Sequence, residues 1–321
     1  PSENPKIQEG DIPITFSVHI EESATKITDD VFDANDQIGL YALISGSSMA
    51  DERYIDNLLL TCGEDQELIP EKDVYYPEGD NSLDFIAYYP YNPEGAEKGE
   101  TTIPVNIQPN QEDAADYSAS DFLTATKNKV AGSGKPVSLD FEHRLAKLKI
   151  KLSPKNNDEA EEMRKDNPHI VATGFYTQAD YDLETGKFSN FKNVSDITPT
   201  GEWKMESGKL AGKEFIFLPQ EISSDQVFQL DWNGRIYTCP IPTVEALDGN
   251  AQYEIEISTE EIETNRLNGF LASISGWSND SELNGTESEN GAQVLHLSAL
   301  SFEASNIYRV HLNGKEVAEI C

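Results

Sequence analysis

Apolar residues return at every second position in one segment after another along this chain. In PITFSVHI, Ile14, Phe16, Val18 and Ile20 fall on one side, and Thr15, Ser17 and His19 on the other. That alternation predicts a half-buried strand. QIGLYALIS keeps Ile38, Leu40, Ala42 and Ile44 in phase. SLDFIAYYPY sets Leu83, Phe85, Ala87 and Tyr89 on one face and Ile86 and Tyr88 on the other, so this strand is expected to be buried on both sides. Pro90 and Pro93 end it. AQYEIEIS points Tyr253, Ile255 and Ile257 inward and Glu254 and Glu256 outward.

FQLDWNGRIYTC predicts a hairpin, because Asn-Gly supplies both positive φ angles of the tight turn. Two-residue register then places Trp232 opposite Arg235, Leu230 opposite Tyr237 and Phe228 opposite Cys239. IYRVHLNGKEVAEI predicts another, with Val310 opposite Val317.

The rhythm breaks in VSLDFEHRLAKLKIKL. Val137, Leu139 and Phe141 occupy odd positions, Leu148, Ile150 and Leu152 even ones. One regular strand cannot do this, so Glu142 to Ala146 is expected to form a bulge or a corner where the chain leaves one sheet for another. Lys147, Lys149 and Lys151 then line the solvent face of the second half, as guards on an edge strand do. One helix is expected, in SPKNNDEAEEMRKDNPHI, capped by Asn157 or Asp158 and stopped by Pro168.

The pattern is that of an all-β chain with two tandem β-sandwich domains, residues 12–153 and 154–277. A polar tether, 1–11, precedes them; a linker and a β-hairpin extension, 278–321, follow.

Composition narrows the function. The chain has 321 residues and a formal net charge of −34, which repels phosphate backbones and anionic membranes and excludes nucleic-acid binding. No apolar run approaches the roughly 18–20 residues of a membrane-spanning helix. Cys62, Cys239 and Cys321 are widely spaced and odd in number, as isolated thiols are. Of the histidines, His19 and His311 read as outward strand positions, and His143 as a corner residue bonded to backbone. In AGSGKPVS, Lys129 stands where a phosphate-binding loop needs its first glycine, and Pro136 where it needs Ser or Thr. Asp33 to Asp36 and Asp248 to Asn250 suit turns better than calcium. Tyr88, Tyr89 and Tyr91 read as core. No enzyme activity, cofactor or metal is expected.

The order of these pieces resembles the fimbrillin family, the surface-pilus subunits of Gram-negative anaerobes. The stretches that carry the resemblance are ITFSVHI with ATKITDDVFDANDQIGLYA, YYPEGDNSLDFIAYYPY, DFLTATKN leading into VSLDFEHRLAKLKIKL, then FIFLPQ and GNAQYEIEIS to ISGW. They span roughly residues 12–277. The resemblance implies two transthyretin-like β-sandwich domains and export as an outer-membrane lipoprotein, on a lipidated cysteine absent from this sequence. It implies removal of the first strand by a protease specific for basic residues, and insertion of a donor strand from the next subunit.

Carried onto this chain, the removable strand is Ile14, Phe16, Val18 and Ile20. Lys26 in ATKI is the processing site, with Arg53 as rival. The donor is Leu295 and Leu297, or Tyr308, Val310 and Leu312. Partners would be other fimbrial subunits and a host or bacterial surface ligand. The alternative is a non-polymerising carbohydrate-binding surface lipoprotein with Trp203 as an exposed platform.

Overall fold

In the computed structural model of the chain, the described residues are 12–20, 32–79, 81–242 and 245–277, together with the strand backbones of 308–312 and 315–320. The first half contains β1 (Phe16–Ile20), β2 (Gln37–Ile44), β3 (Ile55–Cys62), β4 (Glu67–Pro70), β5 (Leu83–Tyr89), β6 (Thr102–Asn106), α1 (Ala114–Ala119), β7 (Leu123–Val130) and β8 (Val137–His143). Then come β9 (Ala146–Ser153), α2 (Asn157–Asp166), β10 (His169–Asp182), β11 (Lys187–Ile197), β12 (Lys204–Glu206), β13 (Lys209–Phe217) and β14 (Gln220–Glu221). The remainder is β15 (Val227–Trp232), β16 (Arg235–Pro240), β17 (Ala246–Leu247), β18 (Ala251–Glu263), β19 (Arg266–Gly276), β20 (Tyr308–Leu312) and β21 (Lys315–Ile320). The chain is all-β in character.

Strands of the first half pair in the order β1-β4-β3-β2-β5-β7-β8, and β8 returns to β1, closing a barrel. Its interior holds Leu40, Leu60, Phe85, Leu139 and Phe141. The rest forms a ten-stranded sheet, β11-β10-β15-β16-β19-β18-β9-β13-β12, with β6 added on β10. Tyr41, Leu43, Ile86 and Tyr88, on the outer faces of β2 and β5, share one core with Leu148, Phe175, Phe215 and Ile255 of that sheet. The two-sided burial of SLDFIAYYPY follows: one face fills the barrel, the other packs on the second sheet.

The parity slip is a change of sheet. β8 ends at His143 in the barrel and β9 begins at Ala146 in the ten-stranded sheet. Arg144 and Leu145 lie between them, so the sheets divide there rather than near Ser153. The lysine strand is not an edge. β9 lies between β18 and β13, and acids flank it: Lys147 Nζ is 3.3 Å from Glu214, and Lys151 Nζ is 2.9 Å from Glu254. Opposite charges on neighbouring strands replace the expected solvent exposure, and Lys147 is buried.

The Asn233-Gly234 hairpin has the predicted register, with both turn residues at positive φ, 54° and 71°. The later hairpin differs: Val310 lies opposite Ala318, because a bulge between Val310 and His311 shifts the pairing. The helix is capped one residue earlier than expected, by the Asn156 side chain accepting from the Glu159 N–H at 2.9 Å. The short α1 was not anticipated; none of its residues is buried, so it carries no apolar stripe to read.

Candidate functional site

The barrel closes on β1. On one side β1 pairs antiparallel with β4, Phe16 opposite Leu68 and Ser17 opposite Glu67. On the other it runs parallel to β8, from Phe16 beside Val137 to Ile20 beside Phe141. Hydrogen bonds continue below the strand: Ile14 N–H donates to the Val74 carbonyl at 2.8 Å, and Val137 N–H to the Thr15 carbonyl at 2.8 Å. Ile14 and Phe16 are each 3% exposed, and Val18 is half-buried. The Phe16 ring meets Phe85 edge-on at 5.8 Å. Taking β1 away would open a groove with β4 and β8 as its rims and Phe85, Leu139 and Phe141 in its floor.

Phe32, where the described chain resumes after β1, stacks edge-on against Tyr89 and Phe141 at 5.1 and 5.0 Å. Sequence periodicity misses it, because Phe32 lies outside any strand and its burial comes wholly from tertiary contact.

Lys26 lies outside the described residues. Arg53 lies within them, and its guanidinium is fully engaged. Nε donates to the Met49 carbonyl at 2.9 Å, and Nη1 to Asp56 and to the Ala96 carbonyl at 2.7 and 2.9 Å. Nη2 donates to the Glu97 and Glu100 carbonyls at 2.8 and 2.6 Å, and the group lies 5.1 Å over the Tyr41 ring.

Leu295 and Leu297 lie outside the described residues; Tyr308, Val310 and Leu312 lie on β20. β20 and β21 form a two-stranded sheet of their own, in a unit separate from the rest of the chain.

Trp203 is no exposed platform. It is buried, and its indole N–H donates to the Pro168 carbonyl at 2.7 Å. His143 is buried too, but its partner is a carboxylate rather than backbone: Nδ1 lies 3.0 Å from Asp121, and the ring stacks on Trp277 at 4.3 Å. Cys62 and Cys239 are free and buried. Burial pushes both thiols up, Cys239 to about 12, which suppresses the reactive thiolate. Cys321 lies outside the described residues. Asp36 accepts from the Asp33 N–H at 2.8 Å, and Asn250 N–H donates to the Leu145 carbonyl at 2.9 Å, so both acidic stretches serve turns. Among the described residues no three metal-binding side chains cluster.

Comparison with known proteins adds context. The model of a family described as fimbrillin-like matches residues 25–277. Over 136 residues the chain is 29% identical to a Bacteroides uniformis protein named as a candidate fimbrium subunit, Fim1C. That match covers 40% of this chain and 41% of the relative, so it spans about two fifths of the relative's length. A solved candidate cell adhesion protein of Bacteroides uniformis is 17% identical, over 84% of this chain and 100% of its own, with a TM-score of 0.61. Another, from Bacteroides ovatus, is 18% identical, over 83% and 97%, with a TM-score of 0.62. At such identities the likeness to the two structures is one of fold.

Proposed function

The chain belongs to the fimbrillin-like family, and from that premise we propose that it is a structural subunit of a cell-surface fimbrium, assembled by release of β1 and insertion of a strand from a neighbouring copy. In this reading the chain is exported as an outer-membrane lipoprotein, its two parts are transthyretin-like domains, and its partners are other fimbrial subunits. The observation that carries the reading is the place of β1: a short first strand whose Ile14 and Phe16 complete the barrel interior between β4 and β8.

Energetics support it. Burying two such side chains contributes roughly 3–6 kcal/mol, with a further share from Val18. A domain's net stability is about 5–15 kcal/mol. Without β1 the barrel would be marginal, with an apolar groove and unpaired backbone on both rims. A strand from a neighbour restores both by β-augmentation.

The cut belongs at Lys26 rather than Arg53. The Arg53 guanidinium, held by four carbonyls and Asp56, cannot enter a protease's specificity pocket without breaking those bonds. A cut there would also release β2, whose Ile38, Leu40 and Ala42 are fully buried. A cut at Lys26 leaves Phe32 on the subunit, packed against Phe141.

The test is treatment of the full chain with a Lys/Arg-specific protease. Ladders of polymer are expected on gels, and deletion from Ser278 onward is expected to abolish them. Protein that stays monomeric after cleavage at Lys26, confirmed by mass spectrometry, overturns the proposal. The burial of Trp203 removes the side chain on which a carbohydrate-binding role would have rested.

A further inference from the structure

We infer that β20 is the donated strand, that it enters a neighbouring copy's groove in β1's own register, and that β21 is the cover it gives up. This rests on the strand-exchange reading above.

The first support is in the residues. β1 reads FSVHI and β20 reads YRVHL. Position by position each is aromatic, polar, valine, histidine, branched aliphatic. The rival stretch, QVLHL at residues 293–297, matches the last three places but opens on Gln293 where β1 has Phe16. It also puts Val294 at the outward place of Ser17. Phe16 is 3% exposed and meets Phe85 edge-on. A donor therefore needs an aromatic ring at that point, and Tyr308 supplies one.

The second support is in the partners. In the barrel, Phe16 lies opposite Leu68 and Ser17 opposite Glu67, antiparallel. In the hairpin, Tyr308 lies opposite Ile320 and Arg309 opposite Glu319, also antiparallel. β21 thus presents to β20 the same acid and the same kind of branched aliphatic that β4 presents to β1. Moving β20 from β21 to a neighbour's β4 exchanges like for like.

Two differences then favour the move. The resident strand offers only Ser17 to Glu67, whereas Arg309 makes an opposite-charge cross-strand pair there. In the hairpin β20 is bonded along one edge, and a two-stranded hairpin is marginal in water. In the groove it would be bonded along both, to β4 and to β8. Parallel register beside β8 sets Tyr308 by Val137, Val310 by Leu139, His311 by Asp140 and Leu312 by Phe141, as for β1. Arg309 is accordingly a specificity-determining residue of the exchange, and Glu319 its placeholder partner.

The test uses the full chain carrying Glu67→Cys and Arg309→Cys, released with the Lys/Arg-specific protease and oxidised. Mass spectrometry is expected to find the intermolecular link between positions 67 and 309. Ladders that form without that link, but with one between Glu67→Cys and Val294→Cys, overturn the inference and leave strand exchange standing. Absence of ladders in the parent chain overturns strand exchange itself. Charge reversal gives an independent reading: Arg309→Glu is expected to slow laddering about two- to fivefold, and Glu67→Arg in the same chain to restore it. Because Arg309→Glu also disturbs the hairpin, Glu319→Ala separates the roles. It weakens only the cover and is expected to speed laddering; an unchanged or slower rate overturns the role of β21.

Discussion

Phe16, Arg53 and the buried phenols show how single side chains set this protein's limits. Phe16→Ala removes a ring packed on Phe85, and a loss of about 3–5 kcal/mol is expected in denaturant unfolding of the intact chain. Arg53→Lys keeps the charge but cannot reach four carbonyls and a carboxylate at once. About 2–3 kcal/mol should be lost in the same measurement. Burial holds the phenols of Tyr88 and Tyr89 well above their ordinary value. In the unfolded chain they ionise near pH 10. Since the folded state keeps these protons longer, their contribution is intact below about pH 10 and is lost as pH rises further. Lys151, raised chiefly by its hydrogen bond to Glu254, acts in the same direction. Thermal unfolding followed from pH 7 to 11 should show a flat region and then a fall.

Strands respond to their neighbours more than to their own composition. β9 carries lysines on one face and still occupies the middle of a sheet, because Glu214 on β13 and Glu254 on β18 stand beside them. Lys151→Glu places like charge beside Glu254 and Glu206, now 2.9 and 3.6 Å from its Nζ. A cost of about 1 kcal/mol is expected in chemical unfolding, falling with added salt. The segment between β1 and β2 and the segment around Arg53 should part company under limited proteolysis. Brief trypsin digestion is expected to cut at Lys26 first and to leave the Arg53–Tyr54 bond intact, as read from fragment masses.

Across residues 12–277 the barrel and the ten-stranded sheet share one core, in which Tyr41, Ile86 and Tyr88 meet Leu148, Phe175 and Phe215. They are expected to unfold together. Phe215→Ala, in the second sheet, should lower the midpoint of the barrel as well. Fluorescence of Trp203, Trp232 and Trp277 and hydrogen exchange of β2 and β5 should report one coincident transition; two separated midpoints would show the parts to be independent.

Local pattern was enough for what depends on neighbours in the chain. Alternation identified β1, β2, β5 and β18, and Asn-Gly fixed the Phe228–Cys239 register, because a strand's faces and a tight turn's φ angles are decided over a few residues. The odd-to-even slip announced a change of sheet for the same reason. What lay beyond reach were matters of who stands next to whom. The sequence offers no sign that β6 joins β10, that Trp203 turns inward onto Pro168, or that His143 meets Asp121 and Trp277. Nor does it reveal that Arg53 is spent on carbonyls rather than offered to solvent. Those outcomes come from contacts between segments far apart in the chain, and only the closed barrel and its shared core bring such segments together.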